Sequence, residues 1–116
     1  MQLLKIYYAY FSPGNTTEKV VSHIASSFQN YPVESINLTD YATRQEDYYF
    51  KENELLIIGV PAYGGRVPAP VVDALRHFTG SNTPVVLVAT YGNRDIDDTL
   101  IELKKNVIDK GFIPVG

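Results

Sequence analysis

Three loops of this chain combine glycine, proline, hydroxyl and tyrosine residues in a way that could bind a ligand. They span 12–17, 61–68 and 90–95, and each directly follows an apolar run of strand length. Loops at the carboxyl ends of parallel strands line the crevice in which such sheets usually bind their ligands. The candidate contact residues are Ser12, Pro13, Gly14, Asn15, Thr16, Thr17, Pro61, Ala62, Tyr63, Gly64, Gly65, Thr90, Tyr91, Gly92 and Asn93.

The first loop is suited to a phosphate group. It leads into an amphipathic segment, and a helix that begins there presents unpaired backbone N–H groups and the positive end of its dipole. Ser12, Thr16 and Thr17 add hydroxyl donors, while Gly14 and Asn15 tolerate unusual backbone angles. The loop contains no Lys or Arg, so neutral hydrogen bonds would hold the anion. Taken alone, the same pattern also fits an ordinary helix start with a capping hydroxyl.

The other two loops each place a tyrosine before a glycine, as Tyr63-Gly64 and Tyr91-Gly92. Two tyrosines that flank one crevice can stack on both faces of a flat heteroaromatic ring. The alternative is that both are ordinary half-buried side chains, and with nine tyrosines in the chain a single one would carry little weight. Two in equivalent loops, beside the phosphate loop, favour a ring-binding site.

Hydrophobic periodicity predicts the elements that must position these loops. Apolar or alternating runs predict strands, and apolar stripes with a period of about four residues predict helices. Residues 39–53 are polar and have no clean period, so at most part of this segment is predicted to be helical. Gly80 and Gly111 stand where the second and third helices would be capped. The predicted strands are 3–11, 33–38, 54–60, 84–89 and 112–115, and the predicted helices are 17–28, 70–78 and 96–110.

Strands and helices therefore alternate along the chain. Apolar strands separated by helices indicate a parallel sheet that is covered on both faces. We expect an α/β protein with a three-layer α/β/α architecture and one domain spanning 1–116.

The composition excludes several classes of protein. The chain has 45% hydrophobic residues, no cysteine and a net charge of −3. Lack of cysteine rules out a disulfide framework, a thiolate metal site and a cysteine nucleophile. A basic run, a signal peptide and an apolar run of membrane length are all missing from the sequence. We expect a soluble, cytoplasmic protein that binds neither nucleic acid nor a membrane.

Asp95, Asp97 and Asp98 resemble a metal cluster only superficially. Acidic residues at the start of a helix complement its dipole, and we favour that interpretation. His23 and His77 fall off the apolar stripes of their helices and are expected to be exposed and inert. No metal site is expected.

The three loops resemble those that bind FMN in the flavodoxin-like family. FSPGNTTEKV follows the first apolar run, VPAYGGRVPAP the third and TYGNRDIDD the fourth. The similarity covers essentially the whole chain and is closest to the flavodoxin-like domains that precede a bacterial-type ferredoxin domain in longer proteins. It implies FMN, with its phosphate in the 12–17 loop and its isoalloxazine between Tyr63 and Tyr91, and a five-stranded sheet of order 2-1-3-4-5.

The resemblance also implies electron transfer, with the flavin cycling through a semiquinone and no catalytic side chain. The Gly64-Gly65 peptide would turn toward flavin N5, and Asn93 would bind the pyrimidine edge. An apolar, acidic surround would hold the hydroquinone couple at low potential. Arg66 and Arg94 would lie at the rim, either as solvated surface or as docking residues for a redox partner such as a ferredoxin-type domain or a reductase.

The chain departs from the family pattern in two places. Gly14 and Asn15 stand where the family usually has Thr and Gly, and the chain ends at Gly116 without the family's final helix. That ending would leave an apolar strip of the sheet bare. We expect either that the chain is part of a longer protein or that a homodimer covers the strip.

Two alternatives to the electron carrier stay open. One is an NAD(P)H-dependent FMN or quinone reductase, although tyrosines on both faces of the ring argue against the open site that such an enzyme needs. The other is a flavodoxin-like module that has lost its flavin. Receiver domains are excluded because the first strand lacks their acidic pair. P-loop proteins and dinucleotide-binding domains are excluded because their glycine motifs are missing after that strand.

Overall fold

The computed structural model describes residues 3–90 and 95–115, except for the side chain of Asp95. Within these ranges the chain alternates strands and helices, as the periodicity predicts. The elements are β1 (Lys5–Tyr10), α1 (Thr16–Ser26), β2 (Val33–Asn37), α2 (Tyr41–Arg44), β3 (Tyr48–Tyr49), β4 (Glu54–Pro61), α3 (Ala69–Leu75), β5 (Phe78–Thr79), β6 (Thr83–Thr90), α4 (Asp95–Asp109) and β7 (Phe112–Pro114).

Five parallel strands form the main sheet, in the order β2-β1-β4-β6-β7. The α/β class and the parallel five-stranded sheet are therefore confirmed. The order differs from the predicted 2-1-3-4-5 because two short strands, β3 and β5, intervene in the sequence and pair with each other in a separate sheet. Among the five longer strands alone, the spatial arrangement is the predicted one.

The prediction that a helix extends over 70–78 is wrong at its end. The helix α3 ends at Leu75, and Phe78 lies in β5, paired with Tyr48. Gly80 is therefore not a helix cap; its N–H donates to the carbonyl of Lys110 at 2.7 Å. The prediction for Gly111 is confirmed, since it follows α4 with a φ of +94° and its N–H donates to the Ile108 carbonyl at 3.1 Å.

Helices cover the main sheet on both faces. On one face α1 buries Val21 and Ala25 against Ile6 and Ile57. On the other face α3 and α4 pack on a larger core built from β1, β4 and β6. Its fully buried members with the largest side chains are Phe78, Ile36, Leu38, Leu56, Ile58, Leu75 and Leu103.

The α1 face is covered unevenly. Val86 and Val88 of β6 are only half-buried there, and Ile113 of β7 has 49% of its surface exposed. Val86 and Val88 nevertheless pack against the core beneath α1. None of the helices in residues 3–90 and 95–115 is long and apolar enough to cross a bilayer.

β4 and α1 are in close contact at Gly59. A Cβ built there would lie 2.4 Å from Val21 Cγ1 and 2.9 Å from Thr17 Cγ2. Only glycine permits this distance, and the contact holds the N-terminal half of α1 against the carboxyl end of β4.

Gly59→Ala is accordingly expected to lower the free energy of unfolding by about 1–3 kcal/mol, the usual effect of overpacking a core. Chemical denaturation, monitored by circular dichroism, measures this change in the free energy of unfolding. Adding Val21→Ala should recover part of the loss, so that the double variant is less destabilised than the sum of the two single variants. Simple additivity would show that the two positions do not clash.

Candidate functional site

The first loop is held in place by its own side chains. Ser12 Oγ accepts the N–H of Glu18 at 2.9 Å, and the Ser12 N–H donates to Thr39 Oγ1 at 2.8 Å. Asn15 precedes the helix with a φ of 68°, in the left-handed region that Asn tolerates better than most residues. The loop therefore leads into α1 with a defined backbone geometry.

The N-terminal end of α1 has hydrogen-bond donors that no described residue accepts. The N–H groups of Gly14, Thr16 and Thr17 donate to no atom in residues 3–90 or 95–115. Thr16 is exposed, and Ser12 still has its hydroxyl proton to donate. Three backbone N–H groups and two hydroxyls at the start of an 11-residue helix form a donor set that fits a phosphate dianion.

The Thr17 hydroxyl, expected to donate to the phosphate, has another partner. It lies 2.6 Å from Thr90 Oγ1, and the residue is 1% exposed. This hydroxyl ties the first loop to the end of β6 and does not face solvent. The phosphate interpretation consequently depends on the Thr17 N–H and not on its side chain.

The second loop is a two-residue turn. The N–H of Tyr63 donates to the Arg66 carbonyl at 3.2 Å, and the N–H of Arg66 donates to the Tyr63 carbonyl at 3.1 Å. Gly64 and Gly65 between them have φ values of +58° and +75°. A tight turn of this type needs positive φ at both central residues, which explains the glycine pair. Tyr63 is 50% exposed beside it.

Thr90 joins the first two loops. Besides its hydroxyl contact with Thr17, its carbonyl accepts the N–H of Ala62 at 2.8 Å. The N–H and hydroxyl donors at the start of α1 and the turn beside Tyr63 are therefore connected through one residue at the carboxyl end of β6. Tyr91, Gly92, Asn93 and Arg94, the rest of the third loop, lie outside the described residues.

Arg66 is exposed to solvent, with 75% of its side chain accessible, and it also has a partner. Its guanidinium forms a bidentate ion pair with Glu102 of α4, with Nε–Oε1 at 3.0 Å and Nη2–Oε2 at 3.3 Å. The Arg66 hydrogen bond, together with one from the Val67 N–H, lowers the pKa of Glu102 and keeps it ionised. Neither Glu102 nor Thr39 is among the residues predicted from the sequence, because nothing in their local patterns distinguishes them from other surface residues.

Charge near the first loop comes from Glu18 as well as from the helix dipole. Burial, and then the neighbouring Glu18 carboxylate, raises the pKa of Tyr10. Tyr10 therefore stays neutral and adds no negative charge at this end of β1. Within residues 3–90 and 95–115, no three His, Asp or Glu side chains converge in a way that could hold a metal ion.

Comparison with known proteins supports the fold and leaves the family open. No protein-family model matches the chain. Two curated ribonuclease Z proteins of Staphylococcus aureus, from strains MSSA476 and MW2, are 42% identical over 62 residues. The match covers 48% of this chain and only 20% of each ribonuclease, so the chain spans about a fifth of their length.

A solved structure of a proposed flavoprotein from Bacteroides uniformis ATCC 8492 superposes with a TM-score of 0.68. The superposition covers 97% of this chain and 88% of that one, at 17% sequence identity. At this identity the likeness shows the fold alone. Together with the strand order, it shows an α/β protein with a flavodoxin-like fold. The carboxyl ends of its strands carry the backbone donors at the start of α1 and the glycine turn beside Tyr63.

Proposed function

We propose that this chain binds FMN and transfers electrons, as a flavodoxin-like protein or domain. The observation that carries the proposal is the connection of two features through Thr90. The unused N–H groups at the start of α1 lie on one side of it, and the turn with Tyr63 lies on the other. A ligand with a phosphate at one end and a planar ring at the other matches this arrangement.

The phosphate would bind at the first loop. The N–H groups of Gly14, Thr16 and Thr17, with the hydroxyls of Ser12 and Thr16, supply its hydrogen bonds. Bonds to a charged acceptor contribute about 1.5–3 kcal/mol each, more than neutral bonds do. The dipole of α1 adds to the attraction, although no Lys or Arg lies within the loop.

The ring would bind beside the second loop. Tyr63 offers half of its surface for stacking, and a Cβ at Gly64 would meet nothing within 4 Å, so the turn leaves room for a large ligand. A bound flavin supplies the redox chemistry, and the protein binds and orients it. We propose a redox protein, such as a ferredoxin-type domain or a reductase, as the partner.

An NAD(P)H-dependent FMN or quinone reductase is the second candidate. The observation that favours it is the open apex of the Gly64-Gly65 turn, since a hydride donor needs space over the ring. Oxidation of NAD(P)H by the flavin-loaded protein, in the presence of a quinone, distinguishes the two functions. Sustained turnover would favour the reductase, and its absence with retained flavin would favour the electron carrier.

Titration of the protein with FMN and with riboflavin tests the proposal. We expect the flavin absorption bands to shift on binding FMN, and riboflavin to bind about 100-fold more weakly, because it lacks the phosphate. Equal affinity for the two flavins would contradict the phosphate site at α1. Failure to bind FMN at micromolar concentration would support the alternative in which the module has lost its flavin.

A further inference from the structure

A single carboxylate from α4 holds the base of the Tyr63–Arg66 turn. Glu102 Oε1 accepts the backbone N–H of Val67 at 2.9 Å and Arg66 Nε at 3.0 Å. Its Oε2 accepts Arg66 Nη2 at 3.3 Å. The side chain thus binds two consecutive residues of the loop, one through its backbone and one through its guanidinium.

The apex of the turn has little other support. Gly64 has open space around its missing Cβ, and Tyr63 is half-exposed. The two hydrogen bonds between Tyr63 and Arg66 are internal to the turn, so they set its shape but not its direction. Direction is set where the turn joins the body of the protein, at Ala62 on one side and at Val67 on the other.

The contact with Glu102 contributes more to the position of the turn than to the free energy of unfolding. The Arg66 side chain is 75% exposed and that of Glu102 is 25% exposed, and exposed ion pairs add little to the free energy of unfolding. The Val67 N–H lies in a part-buried position and would lose its acceptor without the carboxylate. Removing the carboxylate should therefore loosen this loop while the core remains intact.

We infer that Glu102 is a positioning residue of the proposed flavin site. By holding Arg66 and Val67, it keeps the Tyr63 turn at the crevice before a ligand arrives. Preorganisation of this kind strengthens binding, because a loop that is already ordered loses little conformational entropy when the ligand binds. The same helix begins at the end of the third loop, so α4 connects two of the three predicted ligand loops. The inference rests on the proposed flavin binding.

Glu102→Ala and Glu102→Gln test the inference, with Asp109→Asn at the far end of α4 as the control. Alanine favours helices, so α4 should persist in the first variant, which circular dichroism verifies. Glutamine retains an acceptor for the Val67 N–H but loses the charge. For each protein, the dissociation constant for FMN and the hydrogen exchange of the Arg66 and Val67 amides are measured.

We expect Glu102→Ala to raise the dissociation constant about tenfold and to speed exchange of the Val67 amide by a similar factor. The Arg66 amide donates to the Tyr63 carbonyl within the turn and should change little. Glu102→Gln should keep Val67 protected and stay within about threefold of the wild-type affinity, and Asp109→Asn should change neither quantity. Unchanged exchange of the Val67 amide in Glu102→Ala would overturn the inference, as would faster exchange with unchanged FMN affinity. A wild-type protein that binds no FMN would overturn the proposed function and the flavin role of Glu102 together, whereas the exchange data would still decide whether Glu102 holds the turn.

Discussion

Thr16→Asp is expected to weaken FMN binding about 100-fold and, in the same protein, to raise stability. Thr16 is the first residue of α1, where a carboxylate interacts favourably with the helix dipole and adds about 0.3–1 kcal/mol to the free energy of unfolding. The same carboxylate would lie beside the bound phosphate, and two negative charges about 4 Å apart near a protein surface repel by about 4 kcal/mol before salt screening. Isothermal titration and chemical denaturation measure the two effects.

Two controls separate charge from shape at this position. Thr16→Asn has nearly the same size as Thr16→Asp and no charge, so its affinity for FMN should stay within about fivefold of wild type. Riboflavin should bind Thr16→Asp and wild type equally, because it has no phosphate to be repelled. Equal weakening of FMN and riboflavin would show that the loop has been distorted and that the phosphate does not bind at α1.

Phe78→Ala is expected to lower the free energy of unfolding by about 3–5 kcal/mol, the largest loss of stability among these variants. Phe78 is 1% exposed, and its ring centroid lies 5.2 Å from that of Tyr48 and 5.4 Å from that of Phe50. Removal of the ring leaves a cavity that the short β3–β5 sheet cannot close without breaking its own hydrogen bonds. Urea denaturation gives the loss directly.

Tyr49→Ala is the matched control for Phe78→Ala. Tyr49 lies in the same two-stranded sheet, paired with Thr79, but is 73% exposed. Its replacement should change stability by no more than about 0.5 kcal/mol. Similar losses in the two variants would mean that β3 and β5 contribute through strand pairing and not through the buried ring, and the packing argument would then be wrong.

The α/β class could be predicted because it depends on short-range patterns. In β4, every residue from Glu54 to Pro61 is buried, and the sequence shows most of this strand as an apolar run from Leu55 to Val60. The helix α1 similarly buries Val21 and Ala25, four residues apart on one stripe. The glycine pair at 64–65 also acts locally, since both residues adopt a positive φ, which glycine reaches without steric cost.

Periodicity failed at Phe78, because its position continues the spacing of Val71, Ala74 and Leu75. A helical stripe and a buried strand residue are indistinguishable at this position. The choice depends on Tyr48, thirty residues earlier, whose N–H donates to the His77 carbonyl at 2.8 Å. No local pattern contains that contact.

The sequence by itself determined on which kind of sheet the loops lie, because the period of neighbouring apolar residues is sufficient for that. Residue types at the strand ends also predicted which loops carry ligand-type chemistry. The tertiary structure decided how the loops are held, through Thr17 and Thr90, 73 positions apart, and through Arg66 and Glu102, 36 positions apart. Such pairs meet only after the strands have taken their places in the sheet, and polar residues on loops and helix surfaces carry no periodic signal that could reveal their partners in advance.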